Sequence, residues 1–268
     1  MPEHGQCGWP AGCLMSALAG SWMLLSQPVW AAFSIPGYEL VYNAPQETTL
    51  QDNDLRHAAE VWQQMFDAAR SHIDLAQFYV ANEKGSLLDG VLARLRAAGE
   101  RGVKIRFLME EKGVGLSTPE TLTALKAIPN LELRVIPFHR LTGGIVHAKY
   151  LLVDGKEAFV GSQNFDWRAL EQIQETGLRI SDPQTVQQIQ AIFDQDWQAQ
   201  ALLAESKPVP KPARQAVASA PQGNYLVASP RDYNPSGVID SQVALPQLLA
   251  SAKSRIRVQV MDYAPLAW

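Results

Sequence analysis

Residues 143–164 constrain the fold and the chemistry of this chain more than any other stretch. They read GGIVHAKYLLVDGKEAFVGSQN, an apolar and β-branched run bounded by glycine-containing turn signals. This pattern predicts a strand over residues 145–153 and a second strand over residues 158–160, joined by a turn at Asp154-Gly155. The stretch is therefore expected to be a β-hairpin that carries several polar side chains.

Those polar side chains have types and spacings that suit attack on a phosphodiester. His147 and Lys149 share one face of the predicted strand, because alternate residues of a strand point the same way. A neutral imidazole can attack an electrophile, and an ammonium can hold an anion. Ser162 and Asn164 add a hydroxyl and an amide that can bind phosphate oxygens. The alternative is a structural hairpin with a buried histidine and a snorkelling lysine, and the full spacing favours the chemical interpretation.

The same residues resemble the HKD signature of the phospholipase D superfamily. The resemblance rests on the spacing of His147, Lys149 and Asp154 and on the Gly-Ser-x-Asn turn that ends at Asn164. Glu175 stands where that family places a carboxylate that orients the histidine. The resemblance runs from about residue 34 to residue 265.

The resemblance implies a role for each residue of the signature. A histidine of this family forms a phosphohistidine intermediate and a second histidine protonates the leaving group, so His147 is expected to be nucleophile or general acid. The other assignments are phosphate binding by Lys149 and Asn164 with help from Ser162, fixing of the hairpin by Asp154, and orientation of the imidazole by Glu175. No metal and no other cofactor is expected.

The segments that flank the signature narrow the resemblance to one branch. Residues 141–144 and 164–170 are similar to the animal lysosomal 5′-exonucleases and the viral envelope phospholipases. The expected substrate is therefore a phospholipid or a single-stranded nucleic acid. A net charge of −4 offers no basic field for a long polynucleotide, although an exonuclease needs few phosphate contacts. A non-catalytic phosphate-binding module is the alternative function.

Apolar periodicity predicts an α/β fold. The predicted helices are residues 55–69, 85–98, 119–127 and 182–201, and the other predicted strands are residues 38–42, 73–80, 103–109, 131–136 and 176–180. Strands that alternate with helices indicate a mostly parallel sheet with helices on both faces. The resemblance implies that this sheet is of the mixed phospholipase D type. The first phospholipase D-like domain is expected to cover residues 34–205.

A linker and an incomplete repeat are predicted after this domain. Residues 206–222 are rich in Pro and Ala and indicate an extended linker. Residues 223–268 repeat the opening pattern, with a strand near 225–227, a helix over 245–252 and a strand over 256–261. No second HKD follows, so the phosphodiester site is expected to need a second HKD unit, from a missing C-terminal half or from a homodimer; an inactive remnant is the third interpretation.

The first residues indicate export. Residues 11–26 are apolar and of signal-peptide length, and small residues precede a cleavage point after Ala31. Residues 1–31 are thus expected to be a signal peptide or an uncleaved N-terminal anchor, and the protein to be periplasmic or secreted. Cys7 and Cys13 both lie in this segment, which leaves the mature chain without a thiol for a disulfide, a zinc site or a nucleophile.

Two features outside the signature allow more than one interpretation. Phe78 and Tyr79 end a predicted strand and either line the site or pack in the core. Trp167 is predicted to pack in the core, and Arg168 to be an ion-pair partner.

Overall fold

The computed structural model describes residues 33–213 and 223–258. The predicted signal segment 1–31, with Cys7 and Cys13, lies outside the described residues, as do residues 214–222 and 259–268. Across the two described ranges, no helix is both long enough and apolar enough to cross a bilayer.

The described residues form short strands and helices that alternate along the chain. The strands are β1 (Ser34–Ile35), β2 (Tyr38–Asn43), β3 (His72–Gln77), β4 (Val80–Ala81), β5 (Lys104–Glu110), β6 (Leu131–Ile136), β7 (Lys149–Val153), β8 (Glu157–Gly161), β9 (Phe165–Asp166), β10 (Glu175–Ile180), β11 (Val227–Ala228) and β12 (Ile239–Asp240). The α-helices are α1 (Ala58–Ala68), α2 (Leu87–Glu100), α3 (Pro119–Lys126), α4 (His139–Thr142), α5 (Trp167–Glu171), α6 (Pro183–Ala204) and α7 (Ser241–Ser251). Short 3-10 helices cover Glu111–Leu116 and Arg231–Tyr233.

The described strands assemble mainly into one eight-stranded mixed sheet, in the order β1-β2-β10-β8-β7-β3-β5-β6. Within it β3–β5 and β5–β6 pair in parallel, whereas the other neighbours pair antiparallel. The predicted α/β class is confirmed, but the expectation of mostly parallel pairing is wrong. Strand direction depends on which strands become neighbours, and β7, β10 and β1 enter the sheet against the direction of β3.

Helices cover both faces of the sheet, as predicted. On one face, α1 and α2 bury an apolar cluster that contains Trp62 and Phe66. On the other face, α6 buries a second cluster that contains Phe193 and Trp197. Each of these side chains lies at helical spacing, so one stripe of each helix meets the sheet.

A row of glycines crosses the sheet beside the signature. Lys149 of β7 pairs with Gly161 of β8, which pairs in turn with Gly177 of β10. At Gly177 an added Cβ would lie 2.3 Å from Phe159 Cζ. At Gly161 it would lie 2.8 Å from Phe159 Cε1 and still closer to the Gln163 side chain. Glycine is therefore required by close packing here.

Strand β7 begins later than predicted. Residues 145–148 belong to no strand, and the ladder starts at Lys149. The backbone N–H of Val146 instead donates to the Glu110 carboxylate, 2.8 Å away. A side-chain acceptor thus replaces a ladder partner, and His147 lies on irregular backbone.

The segment after the predicted linker folds partly as expected. Residues 207–213, the described part of the linker beyond α6, are irregular. β11 and β12 pair in parallel, and α7 covers the predicted helix but starts earlier, at Ser241. Residues 256–258 do not form the predicted strand, and residues 259–261 lie outside the described range.

Candidate functional site

The signature residues other than Asp154 gather at one edge of the large sheet. β3 and β5 end at this edge, and because β7 and β10 run antiparallel to their neighbours, both start there. His147 precedes β7, and Glu175 is the first residue of β10. Ligands of α/β sheets bind beyond the carboxyl ends of parallel strands, so this edge is the expected location for chemistry.

His147 and Lys149 are in direct contact. Lys149 Nζ donates to the carbonyl oxygen of His147 at 2.7 Å and lies 3.1 Å from His147 Nδ1 and 3.3 Å from Nε2. Lys149 is buried, with 8 % of its surface exposed, whereas His147 is exposed. A solvent-accessible imidazole therefore lies on a buried ammonium.

This contact favours the neutral imidazole. Partial burial and the positive charge of Lys149 lower the pKa of His147. Burial also lowers the pKa of Lys149, against which the negative charge of Glu175 acts. A histidine next to a fixed cation keeps its lone pair available at pH values where a histidine without a neighbouring charge would be protonated.

Ser162 and Glu175 complete the polar cluster around Lys149. Ser162 Oγ accepts from the Thr176 backbone N–H at 3.1 Å and lies 3.2 Å from the Thr176 carbonyl oxygen. Burial raises the pKa of Glu175, while a hydrogen bond with Ser162 and the charge of Lys149 oppose that rise. Glu175 thus interacts with Lys149 and Ser162, and its predicted contact with the imidazole is not among the hydrogen bonds of the described residues.

Asn164 and Asp154 lie in different surroundings. The side-chain oxygen of Asn164 is buried and has no hydrogen-bond partner among the described residues. Asp154 lies at the far end of β7 from His147 and accepts hydrogen bonds from the backbone N–H groups of Arg70, Ser71 and His72. This position is compatible with the predicted role of Asp154 in fixing the hairpin, and Asp154 does not lie near the imidazole.

Two further residues contact the site: Phe78, for which lining the site was one of two interpretations, and Glu110, which was not predicted from the sequence. The Phe78 ring meets the His147 imidazole at a centroid distance of 4.7 Å and an interplanar angle of 66°. Glu110, whose side chain is fully buried, accepts from Val146, the residue before His147. One sequence signal could have identified Glu110: it directly follows the apolar part of strand β5. Ligands of α/β sheets bind beyond the carboxyl ends of parallel strands, so a carboxylate at this position is a candidate site residue.

A cavity of about 350 Å³ adjoins His147 on the α6 side of the sheet. Its walls are mainly apolar and include Ile189 and Leu226. Asp196 also lines it, and burial together with the charge of Glu110 raises the pKa of Asp196 to about 8. The site thus borders a space that accepts uncharged organic groups more readily than anions.

No group of three or more metal-ligating side chains occurs within residues 33–213 and 223–258. The chemistry available at this edge is that of an imidazole, an ammonium, a hydroxyl and an amide. These groups can carry out nucleophilic attack and anion binding.

A family model and several curated proteins match this chain. Residues 63–197 match the model of the family described as cardiolipin synthase, PLD-like domain. The chain is 27 % identical to the 5′-3′ exonuclease PLD3 of Bos taurus over 78 % of this chain and 46 % of that protein. It is 30 % identical to phospholipase D Z of Dictyostelium discoideum over 85 % of this chain and 58 % of that protein. The chain therefore spans about half the length of these curated relatives.

Among solved structures, the chain is similar to a phospholipase D family member, Nuc from Salmonella typhimurium. The TM-score is 0.46 and the identity 21 %, over 60 % of this chain and 94 % of that one.

Proposed function

Because this chain belongs to the phospholipase D-like family, we propose that the sheet edge around His147 is one half of a phosphodiesterase site that uses a histidine and no metal. The observation that carries the proposal is the contact of Lys149 Nζ with both imidazole nitrogens of His147. This contact supports the proposal because attack on a phosphate ester requires a neutral nucleophile and a cation beside it.

The proposed reaction proceeds in two displacements. An imidazole nitrogen forms a bond to phosphorus, the bond to the leaving oxygen breaks, and that oxygen takes a proton from a second histidine. Water then attacks the phosphohistidine, gives up its proton to the second histidine and releases the phosphate. Lys149, Ser162 and Asn164 bind the non-bridging oxygens of the phosphate. On substrate binding, the Lys149 ammonium donates to a phosphate oxygen in place of the His147 imidazole.

A second HKD unit is proposed to supply the second histidine. It belongs either to the same polypeptide or to a second copy of the chain. His147 acts as nucleophile or as general acid according to which unit attacks.

The substrate is proposed to be a phospholipid or a single-stranded nucleic acid. Names of similar proteins include both a 5′-3′ exonuclease and a phospholipase D. The resemblance of residues 141–144 and 164–170 to the 5′-exonuclease branch favours the end of a single-stranded nucleic acid as the substrate. An enzyme that acts at a strand end requires few phosphate contacts.

The test compares both substrates on the full-length protein. A 5′-hydroxyl oligonucleotide and phosphatidylcholine vesicles are offered with and without EDTA, to the wild type, His147→Ala, Lys149→Ala and the control His72→Ala. We expect the wild type to turn over one of the two substrates in the presence of EDTA, and both His147→Ala and Lys149→Ala to lose this turnover. The His72→Ala control should retain it, since His72 lies at the other end of β3. Turnover that EDTA abolishes, or that survives His147→Ala, contradicts the proposal. A protein without turnover that still binds phosphate through Lys149 supports the non-catalytic alternative.

Export is proposed from the apolar residues 11–26. N-terminal sequencing of the mature protein tests it, and a retained Met1 in the cytoplasmic fraction contradicts it.

A further inference from the structure

A buried carboxylate lies close to the site and is not part of the signature. Asp166 is 1 % exposed and accepts from the Tyr79 hydroxyl at 2.6 Å. It also accepts from Arg168, through Nη2 at 2.6 Å, Nε at 3.2 Å and the backbone N–H at 2.8 Å. The predicted ion pairing of Arg168 is thereby confirmed, and both oxygens of a costly buried charge are satisfied.

On one side, this carboxylate is connected to the nucleophile. Phe78, next to Tyr79 in the chain, contacts the His147 ring, and its backbone has little freedom. A Cβ at Gly113 would lie only 1.7 Å from the Phe78 carbonyl oxygen, so the chain there packs directly on Phe78. The Phe78 and Tyr79 rings are also in edge contact, at 6.0 Å.

On the other side, Asp166 is connected to the phosphate-binding turn. Its backbone N–H donates to the carbonyl oxygen of Asn164 at 2.8 Å. β4 and β9 pair in parallel, with Val80 opposite Phe165 and Ala81 opposite Asp166. Val80, which follows Tyr79, is thus the strand partner of Phe165, which follows Asn164.

His147 depends on such side contacts for its position. It lies in residues 145–148, outside every strand, and no sheet ladder fixes its backbone. Displacement of a catalytic group by about 1 Å lowers the rate about a hundredfold. The position of the Phe78 ring against the imidazole therefore affects the rate expected of this site.

We propose that Asp166 is a positioning residue that, through Tyr79, fixes the His147 imidazole relative to Asn164. The inference rests on the proposed function for its rate effect, but the placement of His147 is a separate structural claim. Arg168 neutralises the carboxylate and keeps it in place.

A simpler role for Asp166 exists and gives a different prediction. Asp166 is the N-cap of α5, because its side chain accepts from the Arg168 N–H. An N-cap alone stabilises the helix and needs no bond to Tyr79. The two roles therefore separate in a variant that removes the Tyr79 hydroxyl and leaves the cap intact.

The experiment uses Tyr79→Phe with Tyr38→Phe as the matched control. Tyr38 forms a bond of the same length, 2.6 Å to Thr185 Oγ1, at the opposite end of β10 from Glu175. In the full-length protein, we expect Tyr79→Phe to lower kcat about tenfold with KM nearly unchanged, the scale of a displacement below 1 Å. Equal kcat values for the two variants overturn the inference. Asp166→Asn is secondary, since asparagine can still cap α5 but the change also breaks the ion pair with Arg168.

The NMR signals of the His147 imidazole give a readout that does not need turnover. We expect its ring carbon and proton shifts to change in Tyr79→Phe and to stay at wild-type values in Tyr38→Phe. If the wild type hydrolyses no phosphodiester, the proposed function fails and these shifts decide the inference alone. Unchanged His147 signals in Tyr79→Phe then overturn it.

Discussion

Lys149 Nζ lies 2.7 Å from the carbonyl oxygen of His147 and within 3.3 Å of both nitrogens of the same residue's ring. One ammonium thus fixes the backbone of the proposed nucleophile and opposes its protonation. A phosphate oxygen can displace the ring as acceptor while the carbonyl contact remains. The pair is arranged before substrate arrives, which is the condition for low reorganisation during reaction.

Lys149→Met is expected to raise the pKa of His147. Partial burial and the charge of Lys149 both lower this pKa, and the variant removes the second cause. Protonation of His147 should therefore occur at higher pH in the variant than in the wild type. NMR titration of the imidazole measures the change, and Lys156→Met, in the exposed turn of the hairpin, serves as control. An unchanged pKa of His147 in Lys149→Met contradicts the contact.

Asp154→Asn is expected to lower the free energy of unfolding by about 1–3 kcal/mol at neutral pH, because hydrogen bonds to a charged carboxylate are stronger than those to an amide. Partial burial raises the pKa of Asp154, but the hydrogen bonds from residues 70–72 outweigh it and lower this pKa from 3.8 to about 2. A depressed pKa in the fold means that this stability is present above about pH 4 and is lost as the pH falls towards 2. The difference from the wild type should shrink over that interval.

Urea unfolding at pH 7 and at pH 3 measures this difference. Asp52→Asn is the control, because Asp52 is exposed and its side chain accepts from the Asp54 backbone N–H in its own turn. Asn tolerates the positive φ of 54° at position 154, so the substitution removes charge without backbone strain. A large loss of turnover at full stability would be unexpected for Asp154.

Gly177→Ala is expected to destabilise the protein by about 1–3 kcal/mol through overpacking. The new methyl would lie 2.3 Å from Phe159 Cζ, and Phe159 is buried with 1 % exposure. Phe159→Leu in the same chain should recover part of the loss, since the shorter side chain vacates the space. Thermal unfolding of the two single variants and the double variant gives the coupling.

Gly90→Ala is the matched control for this substitution. Gly90 lies inside α2, and its added Cβ would be 3.5 Å from the nearest atom, on Gln63. Alanine in an unstrained helix position should raise stability by about 0.5–1 kcal/mol. Destabilisation by both alanines would point to a cause other than the Phe159 ring.

Asp196→Asn is expected to become more stable relative to the wild type as the pH rises from 5 to 8. The pKa of Asp196 is raised from 3.8 to about 8 by burial and by the charge of Glu110. A raised pKa in the fold means that the folded state holds a proton that the unfolded chain has lost, so wild-type stability decreases between about pH 4 and 8. The amide cannot ionise, and the variant lacks this decrease.

Denaturant unfolding at several pH values tests the slope. Asp194→Asn is the control, because Asp194 accepts from Arg106 at 2.8 Å and lies in the same helix. That variant keeps Asp196, so its stability should still decrease between about pH 4 and 8. Parallel pH profiles for Asp196→Asn and the wild type would contradict the burial of a protonated Asp196.

The helices and most strands of the main sheet were predictable because their apolar spacing records which face is buried. Residues 103–109, for example, were predicted as a strand and form β5 at Lys104–Glu110. The neighbours of each strand were not predictable, since antiparallel and parallel partners bury the same alternating face. This explains why helices on both faces were expected correctly whereas the share of parallel pairing was not.

The site was predictable where its residues are close in sequence. His147 and Lys149 lie together because local spacing alone sets their separation. The remaining contacts join distant segments, such as Glu110 to Val146 and Tyr79 to Asp166, and no local pattern specifies them. The roles assigned to Ser162, Asn164 and Glu175 stay predictions, and the domain boundaries, including the repeat that begins near residue 223, stay predictions as well.

The glycine row across β8 and β10 has a consequence for how this sequence can change over generations. The Phe159 ring alone fills the space beside Gly177, whereas at Gly161 the Gln163 side chain lies closer than the ring. A larger residue at Gly177 becomes tolerable only after the ring has been replaced by something smaller. Substitutions at positions 159 and 177 should therefore arise in a fixed order, and descendants of this sequence should carry either the aromatic ring with Gly177 or a smaller side chain at position 159 with freedom at position 177.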